Sequence, residues 1–181
     1  NYAPTPEIKE TYLKLERSWL AYKDVLVGAV PSLENGSKVL AISEEVLALA
    51  HQATVELEKK SGSNAGRLVN ISGRQRMLSP RMAKYYQAAS WGIADSNGTA
   101  NLAKARKDFS DALQELAGAP ANTAQINDGL GLVRQQWIFF ESALNQKTGG
   151  DKRAQLAVAT TSERILEEME GVVGLYEKLP K

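Results

Sequence analysis

Apolar residues recur at helical spacing along almost the whole chain, and no segment alternates in the way a strand requires. The first run, Pro6 to Ala29, carries Ile8, Tyr12, Leu15, Trp19, Tyr22 and Leu26 at three- and four-residue intervals behind a Thr5-Pro6-Glu7 start. A second, Ser37 to Lys60, repeats the pattern with Val39, Ile42, Val46, Leu49, Ala53 and Leu57. Four more follow: Ala65 to Ile93, Ala100 to Ala117, Ala124 to Lys147, and one ending near Lys178. The turn signals lie at 31–37, 61–64, 95–99, 118–123 and 148–151. The fold class is therefore all-α, an antiparallel bundle of six helices.

The chain also repeats itself. "TPEI" at 5–8 and "TAQI" at 123–126 stand 118 residues apart, as do Trp19 and Trp137, Tyr22 and Phe140, and Leu26 and Leu144. "SEEVL" at 43–47 returns as "SERIL" at 162–166. Helices one and two thus read as copies of helices five and six. The expected organisation is one complete four-helix unit at 63–181, preceded at 1–62 by the last two helices of an earlier repeat.

Charge is distributed unevenly. The net charge is only +1, yet seven of the 22 basic residues fall between Lys59 and Ala94, where there is no acid. The other 15 face 21 acidic residues, a net −6. A cationic island in an acidic chain calls for an anion. Nucleic acid is a poor candidate, because no aromatic platform is interleaved with the arginines.

On the third helix, Leu68, Ile71, Gln75, Leu78, Met82, Tyr85 and Ala89 form the expected core stripe. Roughly opposite lies a second stripe, Val69, Gly73, Arg76, Pro80, Ala83 and Gln87. Its small residues suit close approach by another helix, either of a second copy or of the other repeat, giving a homodimer or pseudo-dimer. Arg76 would sit in that contact, where a buried guanidinium needs an anion. Two answers stand open. A small oxyanion between two copies of Arg76 is one, gripped by the planar fork while Gly73 admits a close backbone. An ion pair with a bundle glutamate such as Glu44, Glu45, Glu163, Glu167 or Glu168 is the other.

"NISGRQRMLSPRMAKYY" at 70–86 resembles the signature of the PilJ-type sensor domain of type IV pilus chemotaxis transducers. It is also similar to the P-box of nitrate- and nitrite-sensing histidine kinases. The resemblance implies a non-enzymatic, periplasmic four-helix sensor that holds nitrate or nitrite at a dimer interface. Asn70, Gly73, Arg76, Met77, Ser79 and Arg81 match motif positions, with Arg76 as the ligand-holding arginine. Ser72 and Arg74 lie within the same segment and complete the candidate ligand-binding set. Pro80 departs from the usual glutamine, and a proline there is expected to kink the helix.

Other chemistry is weakly represented. There is no cysteine, so disulfides and thiolates are absent. His51 has no ligand-spaced partner, and Glu163, Glu167, Glu168 and Glu170 lack the Glu-x-x-His pairs of di-iron bundles. Ser79 has no His/Asp constellation, so neither catalysis, metal nor cofactor is expected. Trp19, Trp91 and Trp137 read as core or interface residues. No apolar run approaches a membrane span. The opening "NYAPTPE" reads as a linker, so residue 1 is expected to be a cut or processed end. The alternative to an oxyanion sensor is a helical scaffold whose basic segment docks an acidic partner protein.

Overall fold

The computed structural model describes residues 3–93, 97–146, 148 and 152–180. Its helices are α1 (Pro6–Gly28), α2 (Leu33–Ser61), α3 (Asn64–Trp91), α4 (Gly98–Ala117), α5 (Ala124–Leu144) and α6 (Lys152–Tyr176), with no strand among the described residues. The chain divides into two compact units, residues 1–62 and 63–181.

Local chemistry accounts for the helix ends. The hydroxyls of Thr5, Ser32, Ser63 and Thr123 accept from the backbone N–H groups of Ile8, Asn35, Gly66 and Ile126, each capping a first turn. α2 and α3 end on Gly62 (φ 62°) and Gly92 (φ 83°), where the left-handed backbone suits glycine. The "PSLENGS" turn is shorter than its composition implied. Ser32 caps α2, which starts at Leu33, four residues before Ser37, and the Asn35 side chain donates to the Val30 carbonyl (2.8 Å), so Asn-Gly lies inside the first helical turn. α5 ends at Leu144; Lys147, most of the 148–151 turn and part of the 95–99 turn lie outside the described residues.

In residues 1–62, α1 and α2 form an antiparallel hairpin. Thr11 donates to Glu56 (3.1 Å) and Ser18 to Glu45 (2.6 Å), while Gln52 donates to both Thr11 and Glu56. Of the α1 positions expected inside, only Ile8 is buried; Trp19 is 49% and Leu26 52% exposed. On α2, Leu40 and Ala53 are buried, and the rest of the expected stripe is half-buried.

Residues 63–181 form a four-helix bundle in which α3 packs on α4 and α6, and α5 packs on α6. The core joins Leu68, Leu78, Met82 and Tyr86 of α3 to Phe109, Leu116, Trp137, Phe140, Ile165, Met169 and Tyr176. Phe109 stacks on Trp137 with ring centroids 4.4 Å apart. Of the three tryptophans only Trp137 is a core residue, since Trp91 is 53% exposed.

The α3 core face keeps Leu68, Gln75, Leu78, Met82 and Tyr85 of the expected stripe but is wider than expected. Ser72, Ser79, Tyr86 and Ala88 are buried, whereas Ala89 is exposed. Serines score as surface residues in a hydropathy stripe, but here their hydroxyls bond carbonyls and so tolerate burial. α3 also runs uninterrupted across Pro80.

Candidate functional site on helix α3

The basic residues of α3 meet partners on neighbouring helices. Arg67 pairs with Glu115 and Arg74 with Asp108 (2.8 Å), both on α4, and Lys104 also reaches Asp108 (3.2 Å). Arg76 pairs with Glu170 on α6. The Arg81 guanidinium and the Lys84 ammonium lie 5.6 Å and 5.2 Å from the Tyr85 ring centroid, whose hydroxyl accepts from Asn101 (3.0 Å).

An Arg76 whose counter-ion must come from outside the protein is therefore not what the fold provides. Its carboxylate comes from α6, and from Glu170 rather than from the glutamates that sequence singled out. Those partners differ in shelter. The Asp108 side chain is 20% exposed and the Arg74 Nε is buried without a hydrogen bond, so that pair is held inside the surface. The Glu170 side chain is 67% exposed and that of Arg76 36%, so their pair is open to water.

The candidate residues fall into two groups. Ser72 donates to the Leu68 carbonyl (2.7 Å) and Ser79 to the Ser162 carbonyl of α6 (3.3 Å); both are fully buried and so turned away from Arg76's solvent side. Gly73, one turn before Arg76, is half-buried, and a Cβ added there would meet nothing within 4 Å. Asn70, Arg74 and Arg81 are half-buried on the same helix.

The second stripe is also less separate than expected. Val69 and Ala83 pack against the bundle core, and Gln87 donates to the Gln155 carbonyl of α6 (2.8 Å). Part of the face expected to meet another chain or repeat is thus occupied by α6, and the open part centres on Gly73. Sequence reasoning missed Glu170 and Asp108, which lie 94 and 34 residues from their arginines. No local pattern links such positions.

Other polar groups lie deeper. Gln75 is buried and donates to the Phe109 carbonyl (2.8 Å), leaving its Oε1 without a partner, as is the Ser162 hydroxyl. The Tyr176 hydroxyl hydrogen-bonds Asn122 (2.8 Å); burial pushes its pKa up to about 12 against the opposing effect of that bond. Among the described residues no group of His, Asp and Glu could hold a metal, and no helix is long and apolar enough to cross a membrane.

Residues 59–138 match the family model PilJ, the type IV pili methyl-accepting chemotaxis transducer N-terminal region. These residues are similar to a PilJ segment, over 80 of the chain's 181 residues. It spans the end of α2, all of α3 and α4, and α5 through Trp137 and Ile138. The family these residues resemble is a sensory and signalling one rather than a catalytic one. No curated protein and no solved structure matches the chain.

Proposed function

We propose that this chain is a non-enzymatic, extracytoplasmic (periplasmic) sensor module that binds a small inorganic oxyanion, of the nitrate or nitrite class, at Arg76. Gly73, with Asn70 beside it, would supply the close backbone approach. Arg74 and Arg81 would contribute longer-range charge, and Ser72 and Ser79 would fix the helix against its neighbours. A second copy meeting the open Gly73 surface would complete a dimeric site.

The observation that carries this reading is the exposure of the Arg76–Glu170 pair. A solvent-exposed ion pair contributes about 0–1 kcal/mol. A charge-assisted bidentate contact contributes about 1.5–3 kcal/mol. A second copy covering Arg76 would exclude water from that contact, and there an oxyanion would displace Glu170, whose carboxylate then turns into water. The same exchange at Arg74 is disfavoured by the shelter of Asp108.

Residues 1–62 fit the same scheme as the C-terminal helix pair of a preceding PilJ-like repeat. The caps correspond: Thr5 to the Ile8 N–H and Thr123 to the Ile126 N–H, both at 3.3 Å. Gly129 and Val172 abut in the bundle, and the positions equivalent by the repeat offsets hold Thr11 and Ala53, both buried. The larger and smaller partners have changed sides, which conserves volume across the contact.

Calorimetric titration with nitrate, nitrite, sulfate and phosphate tests the site. Arg76→Ala should abolish binding with the helical fold intact, and Arg76→Lys should restore little, since an ammonium lacks the planar fork. Glu170→Gln should bind tighter than wild type, because the competing carboxylate is gone. Normal binding by Arg76→Ala, or its unfolding, would refute the reading. The second reading, a scaffold that docks an acidic partner with no small ligand, draws on the carboxylates already facing Arg67, Arg74 and Arg76. It predicts silence with all four anions.

A further inference from the structure

The outer side of the α5–α6 pair carries a groove that the bundle core does not explain. Trp137, Phe140 and Ile165 belong to a core already enclosed by four helices, while Phe139 and Leu156 lie outside it, 61% and 67% exposed. Those two side chains line an open groove of about 520 Å³, with Ser142, Thr160, Arg153 and Arg164 among the other lining residues. Small-molecule sites commonly fall in the range of about 300–1,000 Å³. The lining includes two arginines and no acid, which sets the sign of what it can hold.

Packing does not require these side chains. By the repeat offsets, Phe139, Leu156, Arg153 and Arg164 stand where the α1–α2 hairpin has Ala21, Ser37, Glu34 and Glu45. An antiparallel helix pair thus forms with small or acidic residues at the same four positions. Two large apolar side chains facing one groove in water forgo the gain of burial, and a ligand would recover it.

The groove has a direction. Arg153, Leu156, Thr160 and Arg164 follow three- and four-residue spacing and share one face of α6. Leu156 stands eight residues from Arg164, about 12 Å along the helix. Arg164 is exposed and forms no ion pair among the described residues.

We propose that this groove binds an organic anion with an extended apolar body, of the medium-chain carboxylate class. The Arg164 fork takes the carboxylate. The chain runs along α6 to Leu156 and covers Phe139, with the Ser142 and Thr160 hydroxyls at its side. Arg153 adds positive potential at the far end. A small inorganic anion has no body to bury here, so the groove is independent of the Arg76 site.

Calorimetric titration of the whole chain with monomeric hexanoate, octanoate and decanoate tests the proposal. Affinity should rise by up to roughly fifteenfold for each two-carbon extension. Octanol, which lacks the charge, should bind at least roughly tenfold more weakly than octanoate. Arg164→Ala should weaken octanoate binding by roughly ten- to a hundredfold. Phe139→Ser and Leu156→Ser should remove most of the chain-length dependence. All three positions are exposed, so helicity by circular dichroism should be unchanged. Arg76→Ala should bind octanoate as wild type does, which separates this groove from the oxyanion site. The inference is overturned if no carboxylate binds, if decanoate binds no tighter than hexanoate, or if Arg164→Ala binds like wild type. Loss of octanoate binding in Arg76→Ala would overturn it as well. So would cosedimentation with phosphatidylglycerol vesicles that Phe139→Ser abolishes, without binding of monomeric octanoate, since the face would then be a membrane contact.

Discussion

Gly129 makes a close helix contact in the bundle that a substitution can probe. A Cβ built there would lie 2.8 Å from Cγ2 of Val172 across the α5–α6 interface. Carbon atoms at rest keep about 3.5–4.0 Å, so Gly129→Ala must push the helices apart or turn Val172. That side chain is 1% exposed, and β-branched residues in helices hold one rotamer, so neither is easy. Gly131 is the internal control, because it lies on the same helix and a Cβ there meets nothing within 4 Å. Both replacements gain about 0.8–1 kcal/mol of helix propensity. Only Gly129→Ala incurs overpacking, about 1–3 kcal/mol.

Gly131→Ala should therefore stabilise the protein, and Gly129→Ala should fall below it by about 1–3 kcal/mol. At roughly 4 °C per kcal/mol for a domain of this size, the two melting temperatures should differ by several degrees. Denaturant unfolding followed by circular dichroism measures the gap. Val172→Ala should cost less in the Gly129→Ala background than alone, with a coupling of at least about 0.5 kcal/mol. Equal shifts for the two glycine variants, or zero coupling to Val172, would show that α5 and α6 do not approach this closely.

Pro80 lies inside α3 and has no N–H to donate to the Arg76 carbonyl. Pro80→Ala should stabilise the fold by about 1–3 kcal/mol, read as a higher denaturation midpoint; an unchanged or lower midpoint would show that the proline ring contributes packing worth the lost bond. The raised pKa of Tyr176 makes a second prediction. Its folded state holds a proton that the unfolded chain releases above about pH 10, so stability is full below that pH and falls as pH rises from about 10 towards about 12. Tyr176→Phe should flatten that decline, and ultraviolet titration of wild type should show a late tyrosine that the variant lacks; a decline unaffected by Tyr176→Phe would assign it elsewhere.

The helices were legible because 3/4 spacing and the Thr5 cap are local signals. Their burial was only partly so. Ile8 and Trp19 share one stripe, yet one is buried and the other half-exposed, since burial depends on a covering layer that periodicity does not encode. The segment around Arg76 was readable as unusual from its lack of acids. The identity of its partner was not, because Glu170 reaches it only through the pairing of α3 with α6. Serine at 72 and 79 misled in another way: its hydropathy points outward, while a carbonyl acceptor lets it face in.

The cross-helix bonds of α3 have a mechanical consequence. Ser79 and Gln87 each reach a carbonyl of α6, at Ser162 and Gln155, and stand eight residues, about 12 Å, apart. Sliding α3 along α6 by one residue, about 1.5 Å, would displace both bonds at once. Tilting the two helices together strains neither. Ser72, by contrast, bonds its own helix and travels with it at no loss. The two bonds therefore resist sliding of α3 along α6 more than movement of the pair as one body.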